Sequence, residues 1–307
     1  MSEPAYHIPA LLPQTLDCLD IKPGGIYVDA TFGGGGHSRA ILDRLGPDGR
    51  LIAFDQDEDA IANAPDDPRF IFVRSNFRFM RNFLRYHGVE QADGILADLG
   101  VSFHHFDDAG RGFSFRADAP LDMRMNRKAP LTAAQLLERY DTRDLTSLFR
   151  TYADLKDPGK AAKAIVSARE KALILTTVQL ADAVRPGLNP KAEKKEMAQV
   201  FQALRIEVNS EMEALVALLS SAPQMLKEGG RAVILTYHSV EDRIVKNFFR
   251  SGNAEGKVEK DFFGNALCEW KQITRQPITA DAEETERNPR SRSAKLRAAE
   301  LKTKDRT

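Results

Sequence analysis

The segment Ile26–His37 reads IYVDATFGGGGH, and it decides the fold class. Its apolar first half predicts a strand over Ile26–Ala30, and four consecutive glycines then lead into a helix predicted from about His37 to Leu45. Glycines between a strand and a helix let bare backbone lie against a ligand at the positive end of the helix dipole. Glycine clusters also form plain tight turns, so this segment alone leaves a ligand loop and a simple turn both open.

The same alternation of strand and helix continues after the glycine loop. The GPDG sequence ends the first helix, and Asp57 is placed to cap a helix after the second strand. Further strands are predicted over Arg50–Asp55, Phe70–Val73 and Gly94–Asp98, and a further helix over Phe77–Tyr86. Repeated strand–helix units at this spacing are typical of an α/β protein with a mostly parallel, Rossmann-like sheet.

The alternation then stops for about a hundred residues. From about 107 to 205 the sequence is polar, lysine-rich and helical. Its candidate helix N-caps are Thr132, Asp141, Asp157 and Thr177. A strand predicted over Arg231–Tyr237, after a Gly-Gly turn, resumes the α/β pattern. We therefore predict one discontinuous α/β domain, residues 1–106 and 206–307, interrupted by an inserted all-helical domain, residues 107–205.

Three more elements are predicted in the C-terminal part of the chain. Apolar residues between Phe201 and Leu219 recur every three or four positions, which predicts one amphipathic helix that Pro223 ends or kinks. Glu269–Thr274 is a predicted strand, and Ala294–Leu301 is a predicted short terminal helix. Residues 285–307 contain eight basic and three acidic side chains, so this tail is either a solvated helix or a binding segment.

Bulk composition is that of an ordinary globular protein. Lysine plus arginine and aspartate plus glutamate both number 44, so the overall charge gives no reason to expect a polyanionic partner. Cys18 and Cys268 cannot build a disulfide framework. The N-terminal residues do not resemble a signal peptide, and no apolar run approaches the roughly 18 residues that cross a bilayer. We therefore expect a cytoplasmic protein with no membrane partner.

Asp55 ends the second predicted strand, about twenty residues after the glycine loop. A carboxylate there accepts both ribose hydroxyls of an adenosyl ligand, whether a dinucleotide or another adenosyl compound. The dinucleotide pattern G-x-G-x-x-G, however, needs a third glycine where this chain has Ser38 or Arg39. The sequence therefore favours an adenosyl site without nicotinamide, with a solvated loop acid as the alternative role for Asp55.

Asp98 ends the fourth predicted strand, at the edge where open α/β sheets bind ligands. The loop after it contains His104, His105 and Asp107, but adjacent histidines usually point in different directions, so no metal site is predicted. The same stretch carries four phenylalanines that either stack on an unpaired base or are buried by the inserted domain: Phe103, Phe106, Phe113 and Phe115.

Seven motifs follow one another along nearly the whole chain. They are DATFGGGGHS, DQD, DGILADLGVS, RGFSFRADAPLDMRM, FQALRIEVN, YHSVEDRIVK and NPRSRSAKLR. In this order they resemble the bacterial 16S rRNA cytosine-N4-methyltransferase family, also called RsmH or MraW. The resemblance implies a class I Rossmann-like, S-adenosylmethionine-dependent methyltransferase with a helical insertion. It also implies that the substrate is the N4 amine of cytosine 1402 in 16S rRNA of the small ribosomal subunit.

The resemblance further implies which residues contact the cofactor. By motif these are Gly35, Gly36, His37, Asp55, Phe77 and Asp98. The family usually has one more contact, a glutamine in a Ser-Ser-Pro-Gln segment, and His105 stands at that position here. The end of the fifth strand commonly reads FHSLEDR in the family, whereas this chain reads YHSVEDR from Tyr237.

The chemistry of an exocyclic cytosine amine defines what the site must do. The lone pair of this amine is conjugated into the ring. The site therefore has to orient the amine and accept a hydrogen bond from one of its N–H groups. Asp98 is the best-placed acceptor, and His238 is a second catalytic candidate whose alternative role is a loop histidine satisfied by hydrogen bonds. Attack at cytosine C5 needs a cysteine nucleophile, and neither cysteine lies in a predicted active-site loop.

Two other functions stay open at this point. A non-catalytic RNA-binding or ribosome-assembly protein would bind adenosylmethionine without transferring its methyl group, although the intact glycine loop, Asp55 and Asp98 argue against it. An NAD-dependent dehydrogenase would bind nicotinamide, which the glycine spacing disfavours. The sequence does not determine the oligomeric state.

Overall fold

A computed structural model describes residues 9–100, 109–264 and 266–303. The chain divides into two compact units, with boundaries after Gly100 and after Met212. We call residues 9–100 with 213–303 the sheet unit, and residues 109–212 the helical unit. These boundaries lie a few residues from the domain boundaries predicted from the sequence. None of the helices in the described part of the chain is long and apolar enough to cross a membrane.

The sheet unit is built on one mixed, mainly parallel sheet. Its strands are β1 (Ile26–Asp29), β2 (Arg50–Asp55), β3 (Phe70–Arg74), β4 (Ala92–Asp98), β5 (Leu226–Thr236), β6 (Trp270–Gln272), β7 (Ile278–Thr279) and β8 (Lys295–Leu301). Their order is β3-β2-β1-β4-β5-β8-β6, with β7 paired to β8. Strands β1 to β5 run parallel, and β8 runs antiparallel to β5 and β6. The predicted Rossmann-like α/β class is confirmed.

The helices follow the predicted division of the sequence. In the sheet unit they are α1 (Leu12–Leu19), α2 (Gly36–Leu42), α3 (Met80–Tyr86), α9 (Glu211–Met225, whose first residues belong to the helical unit), α10 (Ser239–Ser251) and α11 (Ala282–Arg287). In the helical unit they are α4 (Ala133–Arg139), α5 (Thr142–Tyr152), α6 (Pro158–Arg169), α7 (Thr177–Val184) and α8 (Glu193–Asn209). The helix expected after β2 is a short 3₁₀ turn, Asp59–Asn63.

The strands read as continuous apolar runs because both faces of the sheet are covered. Successive residues of β1 illustrate this, since Tyr27 packs into one apolar cluster and Val28 into the other. Leu51 and Ile52 of β2 divide in the same way. Burial on both faces therefore fixes the register of the strands whose ends form the site.

The predicted helix over Ala294–Leu301 is wrong, because these residues form strand β8. Leu296 belongs to the apolar cluster on one face of the sheet and Leu301 to that on the other. The strand lies between β5 and β6, where hydrogen bonds to both neighbours outweigh the helix propensity of its alanines. The tail is thus not a solvated helix.

Arg297 shows that part of the tail's positive charge is structural. It is 4% exposed, and its Nε donates to Oδ1 of Asp242 at 2.6 Å. The Lys295 ammonium lies 3.5 Å from the same carboxylate. Burial raises the pKa of Asp242, but the Arg297 and Lys295 cations together outweigh burial, and the net shift is downward. These two cations of the basic tail therefore hold β8 to α10.

The single amphipathic helix predicted through Leu219 is also wrong. The chain breaks at Ser210, which has a left-handed φ of 49° and separates α8 from α9. Residues before the break, such as Val208, pack in the core of the helical unit, whereas Leu215 packs in the core of the sheet unit. The turn at Ser210 changes the direction of the chain, so the apolar residues before and after it pack in different cores. Pro223 lies inside α9, which ends two residues later at Met225.

Helix caps of the helical unit largely follow the sequence. Thr132, Asp141 and Asp157 cap α4, α5 and α6 as predicted. The cap of α7 is Thr176 rather than Thr177, because the hydroxyl of Thr177 instead donates to the carbonyl of Ala117.

The RGFSFRADAPLDMRM motif forms a loop around the buried side chain of Arg111, which donates to the carbonyls of Arg124 and Met125. A Cβ at Gly112 would lie 2.3 Å from the carbonyl oxygen of Pro120, so this position requires glycine. Phe113 is buried in the core of the helical unit, so the base-stacking role considered for it is wrong. Phe115 is partly buried against the same core, and its stacking role stays a prediction. Phe103 and Phe106 lie outside the described residues.

Candidate active site

The site lies where four parallel strands end at one edge of the sheet. Asp29 ends β1, Asp55 ends β2 and Asp98 ends β4, while Tyr237 follows β5 directly. Along the sheet, β1 is followed by β2 in one direction, whereas β4 is followed by β5 in the other direction. The strand order therefore reverses between the neighbours β1 and β4, and α/β proteins bind ligands in the crevice at such a point. Three carboxylates and a phenol therefore lie at the edge of the sheet where a ligand is expected.

The glycine loop takes up backbone conformations that side chains would oppose. Gly33 and Gly35 have φ values of 52° and 75°. A Cβ on Gly35 would lie 2.8 Å from Cζ of Phe32, whereas a Cβ on Gly34 would meet nothing within 4 Å. The loop thus combines a tight turn with open space beside its backbone, at the N-terminus of α2.

Side chains from outside the loop hold its carbonyl groups. Nη1 of Arg39 donates to the carbonyl of Gly34 at 2.7 Å, and Nδ2 of Asn63 donates to that of Gly33 at 3.2 Å. Arg39 also donates through Nη2 to the carbonyl of Asn63 at 2.9 Å. The loop is therefore fixed in shape by residues that the sequence motif does not contain.

Asp55 connects the loop to the end of β2. Its Oδ2 accepts the N–H of Gly33 at 2.8 Å, and its Oδ1 accepts the N–H of Asp57 at 2.8 Å. A carboxylate at the end of this strand is where ribose hydroxyls are bound in folds of this class. Asp55 is placed as the sequence predicted, and it also supports the loop itself.

Asp98 lies at the centre of the polar contacts. The hydroxyl of Tyr237 donates to its Oδ1 at 2.7 Å, and its own N–H donates to Oγ1 of Thr31 at 2.7 Å. Burial raises the pKa of Asp98, and the nearby Glu241 carboxylate raises it further. The hydrogen bond from Tyr237 lowers it, and the net result is a pKa of about 7. A carboxylate with this pKa can exchange a proton at physiological pH.

His37 faces the same carboxylate from the first turn of α2. Its Nδ1 lies 3.5 Å from Oδ2 of Asp98, and its Nε2 lies 3.3 Å from the carbonyl oxygen of Ala10. Burial lowers the pKa of His37, and this effect is larger than that of the Asp29 carboxylate, which raises the pKa. A neutral imidazole that donates from Nε2 to Ala10 presents an acceptor, Nδ1, to a protonated Asp98.

Asp29 braces the turn between β1 and α2. It is 1% exposed, and its Oδ2 accepts the hydroxyl of Ser38 at 2.7 Å while its Oδ1 accepts the N–H of Thr31 at 3.0 Å. Burial raises the pKa of Asp29, against the Ser38 hydrogen bond, which lowers it. Asp29 is thus a structural member of the site that the sequence analysis did not single out.

His238 caps the N-terminus of α10, the helix after β5. Its Nδ1 accepts the N–H of Glu241 at 3.4 Å. Its Nε2 lies 3.1 Å from Oε1 of Glu241, in an orientation that forms no hydrogen bond. The second oxygen of Glu241 accepts the N–H of Tyr237 at 2.9 Å. His238 therefore has a local structural role, and its predicted catalytic role stays a prediction.

The structure describes all but one of the residues expected to contact the cofactor, and their contacts with it stay predictions. Gly35, Gly36 and His37 form the start of α2, and Phe77 begins the turn after β3. His105 lies outside the described residues. Tyr237 was missed as a functional residue, although the signal was present: it stands where the family commonly has phenylalanine, and only tyrosine brings a hydroxyl to Asp98.

A mainly parallel sheet in this order, a glycine loop at the start of α2 and an acid at the end of β2 define a Rossmann-like, S-adenosylmethionine-dependent methyltransferase. The comparison with known families agrees. The chain belongs to the MraW methylase family, whose sequence model matches residues 4–302.

Close relatives cover nearly the whole chain. Ribosomal RNA small subunit methyltransferase H of Bacteroides thetaiotaomicron is 57% identical over 98% of this chain and 99% of its own length. The protein of the same name from Phocaeicola vulgatus is 57% identical, over 96% of this chain and 97% of its own. Among solved structures, an rRNA methylase from Streptococcus thermophilus matches with a TM-score of 0.43 and 11% identity, over 97% of this chain and 99% of the other.

The hydrogen bond from Tyr237 gives a pH-dependent prediction. Because that bond lowers the pKa of Asp98, Tyr237→Phe is expected to raise this pKa above about 7 while keeping the ring. If the ionised carboxylate is the active form, the rate rises with pH through this pKa, and the variant's rise occurs at higher pH. Single-turnover methylation measured across pH checks this, and an unchanged midpoint would show that Tyr237 does not tune Asp98.

Proposed function

We propose that this protein transfers a methyl group from S-adenosylmethionine to the exocyclic N4 amine of cytosine 1402 in 16S rRNA. Support for an rRNA substrate comes from relatives more than half identical that are named small-subunit rRNA methyltransferases. Support for amine chemistry comes from one observation above all, the partly buried Asp98 carboxylate, which lies at the ligand edge under the Tyr237 hydroxyl and has a pKa of about 7.

The described residues fit the methyl donor. The open space beside Gly34 admits a ligand against bare backbone, and Asp55 offers acceptors for ribose hydroxyls. Acidic groups surround the crevice, with Asp29, Asp55 and Asp98 ending three adjacent strands. This suits a cationic sulfonium and its ammonium group better than a dinucleotide pyrophosphate. When bound, S-adenosylmethionine supplies an electrophilic methyl group.

The chain's own residues would orient the amine and take up its proton. An ionised Asp98 accepts an N–H of the cytosine amine, which localises the nitrogen lone pair for attack on the methyl carbon. As the new N–C bond forms, the bond between the methyl carbon and sulfur breaks and its electron pair stays on the sulfur, which leaves as a neutral thioether. The N–H proton passes to the carboxylate, and the pKa of about 7 lets it leave to solvent afterwards. Tyr237 donates to Oδ1, so the amine would approach Oδ2, the oxygen that also faces Nδ1 of His37 at 3.5 Å.

Covalent activation at cytosine C5 has no support in this site. Cys18 is buried in α1, and burial raises the pKa of its thiol. Cys268 is also buried, with its Sγ directed at backbone carbonyls including that of Trp270. Neither sulfur lies at the end of β4 or β5, so the nucleophile that C5 chemistry requires is missing from the described edge.

We further propose that the helical unit and the tail contribute to rRNA binding, because both are rich in cations. Within the tail, Arg297 is buried and ion-paired with Asp242. Arg290 and Arg292 are the better candidates because both side chains are exposed to solvent. Replacing both by alanine is expected to weaken rRNA binding. It should also reduce the magnitude of the slope of log K against log salt by about 1–2. Titrations of a 16S rRNA fragment at several salt concentrations check this. Slopes identical to wild type would remove the two arginines from the interface.

The proposed function is tested in cells that carry or lack this gene. Mass spectrometry of decoding-region fragments of 16S rRNA is expected to show the methyl group on cytosine 1402 only in cells with the gene. Complementation with an Asp98→Ala gene should leave the position unmethylated. Full methylation of cytosine 1402 in cells without the gene would contradict the proposal.

A further inference from the structure

The turn and helix after β3 expose an unusually cationic face. Residues 75–89 read SNFRFMRNFLRYHGV and contain no acidic residue. Met80 and Leu84 pack into the core of the sheet unit, with Phe77 partly buried beside them. The opposite face of α3 and its preceding turn is exposed to solvent, and we call its residues the α3 face: Arg78, Phe79, Arg81, Asn82, Arg85 and Tyr86.

The three arginines of the α3 face lack acidic partners. Nearby Arg69 and Arg74 are ion-paired, with Asp67 at 2.6 Å and with Glu58 at 2.7 Å. Among the residues that the structure describes, no carboxylate lies within 4.0 Å of the guanidinium groups of the α3 face. Three positive charges that are not neutralised thus lie on about two turns of chain, which is complementary to a polyanion.

Two aromatic side chains lie among these charges. Tyr86 is 83% exposed and Phe79 48% exposed. The guanidinium carbon of Arg78 lies 5.3 Å from the centroid of the Phe79 ring, a cation–π contact that keeps the two side chains together. Exposed aromatics interleaved with arginines are the groups that bind single-stranded nucleic acid, because the rings stack on bases while the cations contact phosphates.

We propose that the α3 face binds a single-stranded segment of rRNA, with Arg78, Arg81 and Arg85 on phosphates and with Phe79 and Tyr86 stacked on unpaired bases. This inference rests on the proposed function and adds an RNA contact on the sheet unit. The face begins directly after β3, at the same sheet edge as Asp55 of the neighbouring strand β2. Arg78 and Phe79 therefore lie near the edge that holds the cofactor site. From there α3 leads the rest of the face back along the sheet toward the start of β2, where Arg50 donates to the carbonyl of His87.

The test compares two triple variants that remove the same charge. Arg78, Arg81 and Arg85 are replaced by alanine in one, and the exposed, ion-paired cations Lys22, Arg44 and Lys271 in the other. Binding to a fluorescent 16S rRNA fragment that contains cytosine 1402 is measured over a range of KCl concentrations. The slope of log K against log salt is negative. We expect its magnitude to fall by about 2 in the α3 variant and by much less in the control.

A second pair of variants tests stacking. Tyr86→Ala is expected to weaken binding of the same fragment roughly 5- to 150-fold, whereas Tyr86→Phe keeps the ring and nearly all of the affinity. S-adenosylmethionine affinity, measured by calorimetry, should be unchanged in every variant, because it reports an intact cofactor site.

The outcomes separate this inference from the proposed function. If wild type binds and methylates rRNA but the α3 triple variant matches the control in slope and affinity, the α3 inference is overturned and the proposed function stands. If the α3 variant binds free rRNA normally and loses activity only on small subunits, the face contacts protein and the inference is again overturned. If wild type neither binds nor methylates rRNA, both fail.

Discussion

Asp98→Asn is expected to reduce the single-turnover rate of rRNA methylation by about 100-fold or more, the usual contribution of a positioned base. Asparagine keeps the size of the side chain and one acceptor oxygen, but it cannot take up the proton. The Tyr237 hydroxyl can still donate to that oxygen, so the local packing is preserved. Only interactions that strengthen in the transition state change the chemical step, so the rate should fall far more than cofactor affinity.

Asp98→Ala distinguishes the two roles that the site allows. If Asp98 serves only the cofactor, alanine weakens S-adenosylmethionine binding while the rate at saturating cofactor and rRNA stays near that of wild type. We expect instead that both decrease. Asp66→Asn, at an exposed acid outside the site, is the matched control and should behave as wild type. A near-normal saturated rate for Asp98→Ala would end the catalytic assignment.

Asp55→Ala is expected to weaken S-adenosylmethionine binding by about 1.5–3 kcal/mol, the range for hydrogen bonds to a charged group. Two losses contribute, because the variant removes the acceptor for ribose hydroxyls and also the acceptor for the N–H of Gly33. Calorimetric titration measures the affinity directly, and the saturated methylation rate should change less.

Asn63→Ala separates these two contributions. It removes the hydrogen bond to the carbonyl of Gly33 without removing Asp55, so it disturbs the glycine loop alone. A smaller loss of affinity than that of Asp55→Ala is expected, with Asp66→Ala as the surface control. Equal affinities of Asp55→Ala and wild type would remove Asp55 from the cofactor site.

The parts of the fold that the sequence predicted are those specified locally. A strand running into glycines and a helix, or Thr132 capping α4, depends on neighbours a few positions away. The last strand was predicted as a helix because its state depends on partners far along the chain, β5 and β6. The break at Ser210 was missed because an unbroken apolar stripe does not show that its halves belong to two cores.

The candidate site shows the same limit. Asp55 and Asp98 are recognisable because each ends a predicted strand. Tyr237 lies 139 positions from Asp98, and its hydroxyl meets that carboxylate only because β4 and β5 are neighbours in parallel. The pKa of Asp98 likewise depends on burial that no motif encodes. Sequence patterns located the candidate groups, and the fold was needed to reveal what surrounds them.

The most direct test of amine methylation guided by Asp98 uses the purified protein. Small subunits from cells lacking the gene are incubated with it and S-adenosylmethionine. The 16S rRNA fragment that contains cytosine 1402 is then isolated, and its nucleosides are analysed by mass spectrometry. The proposal predicts N4-methylcytidine at position 1402 with wild-type protein, and little or none in the same time with Asp98→Asn. Formation of 5-methylcytidine, or equal yields from the two proteins, would contradict it.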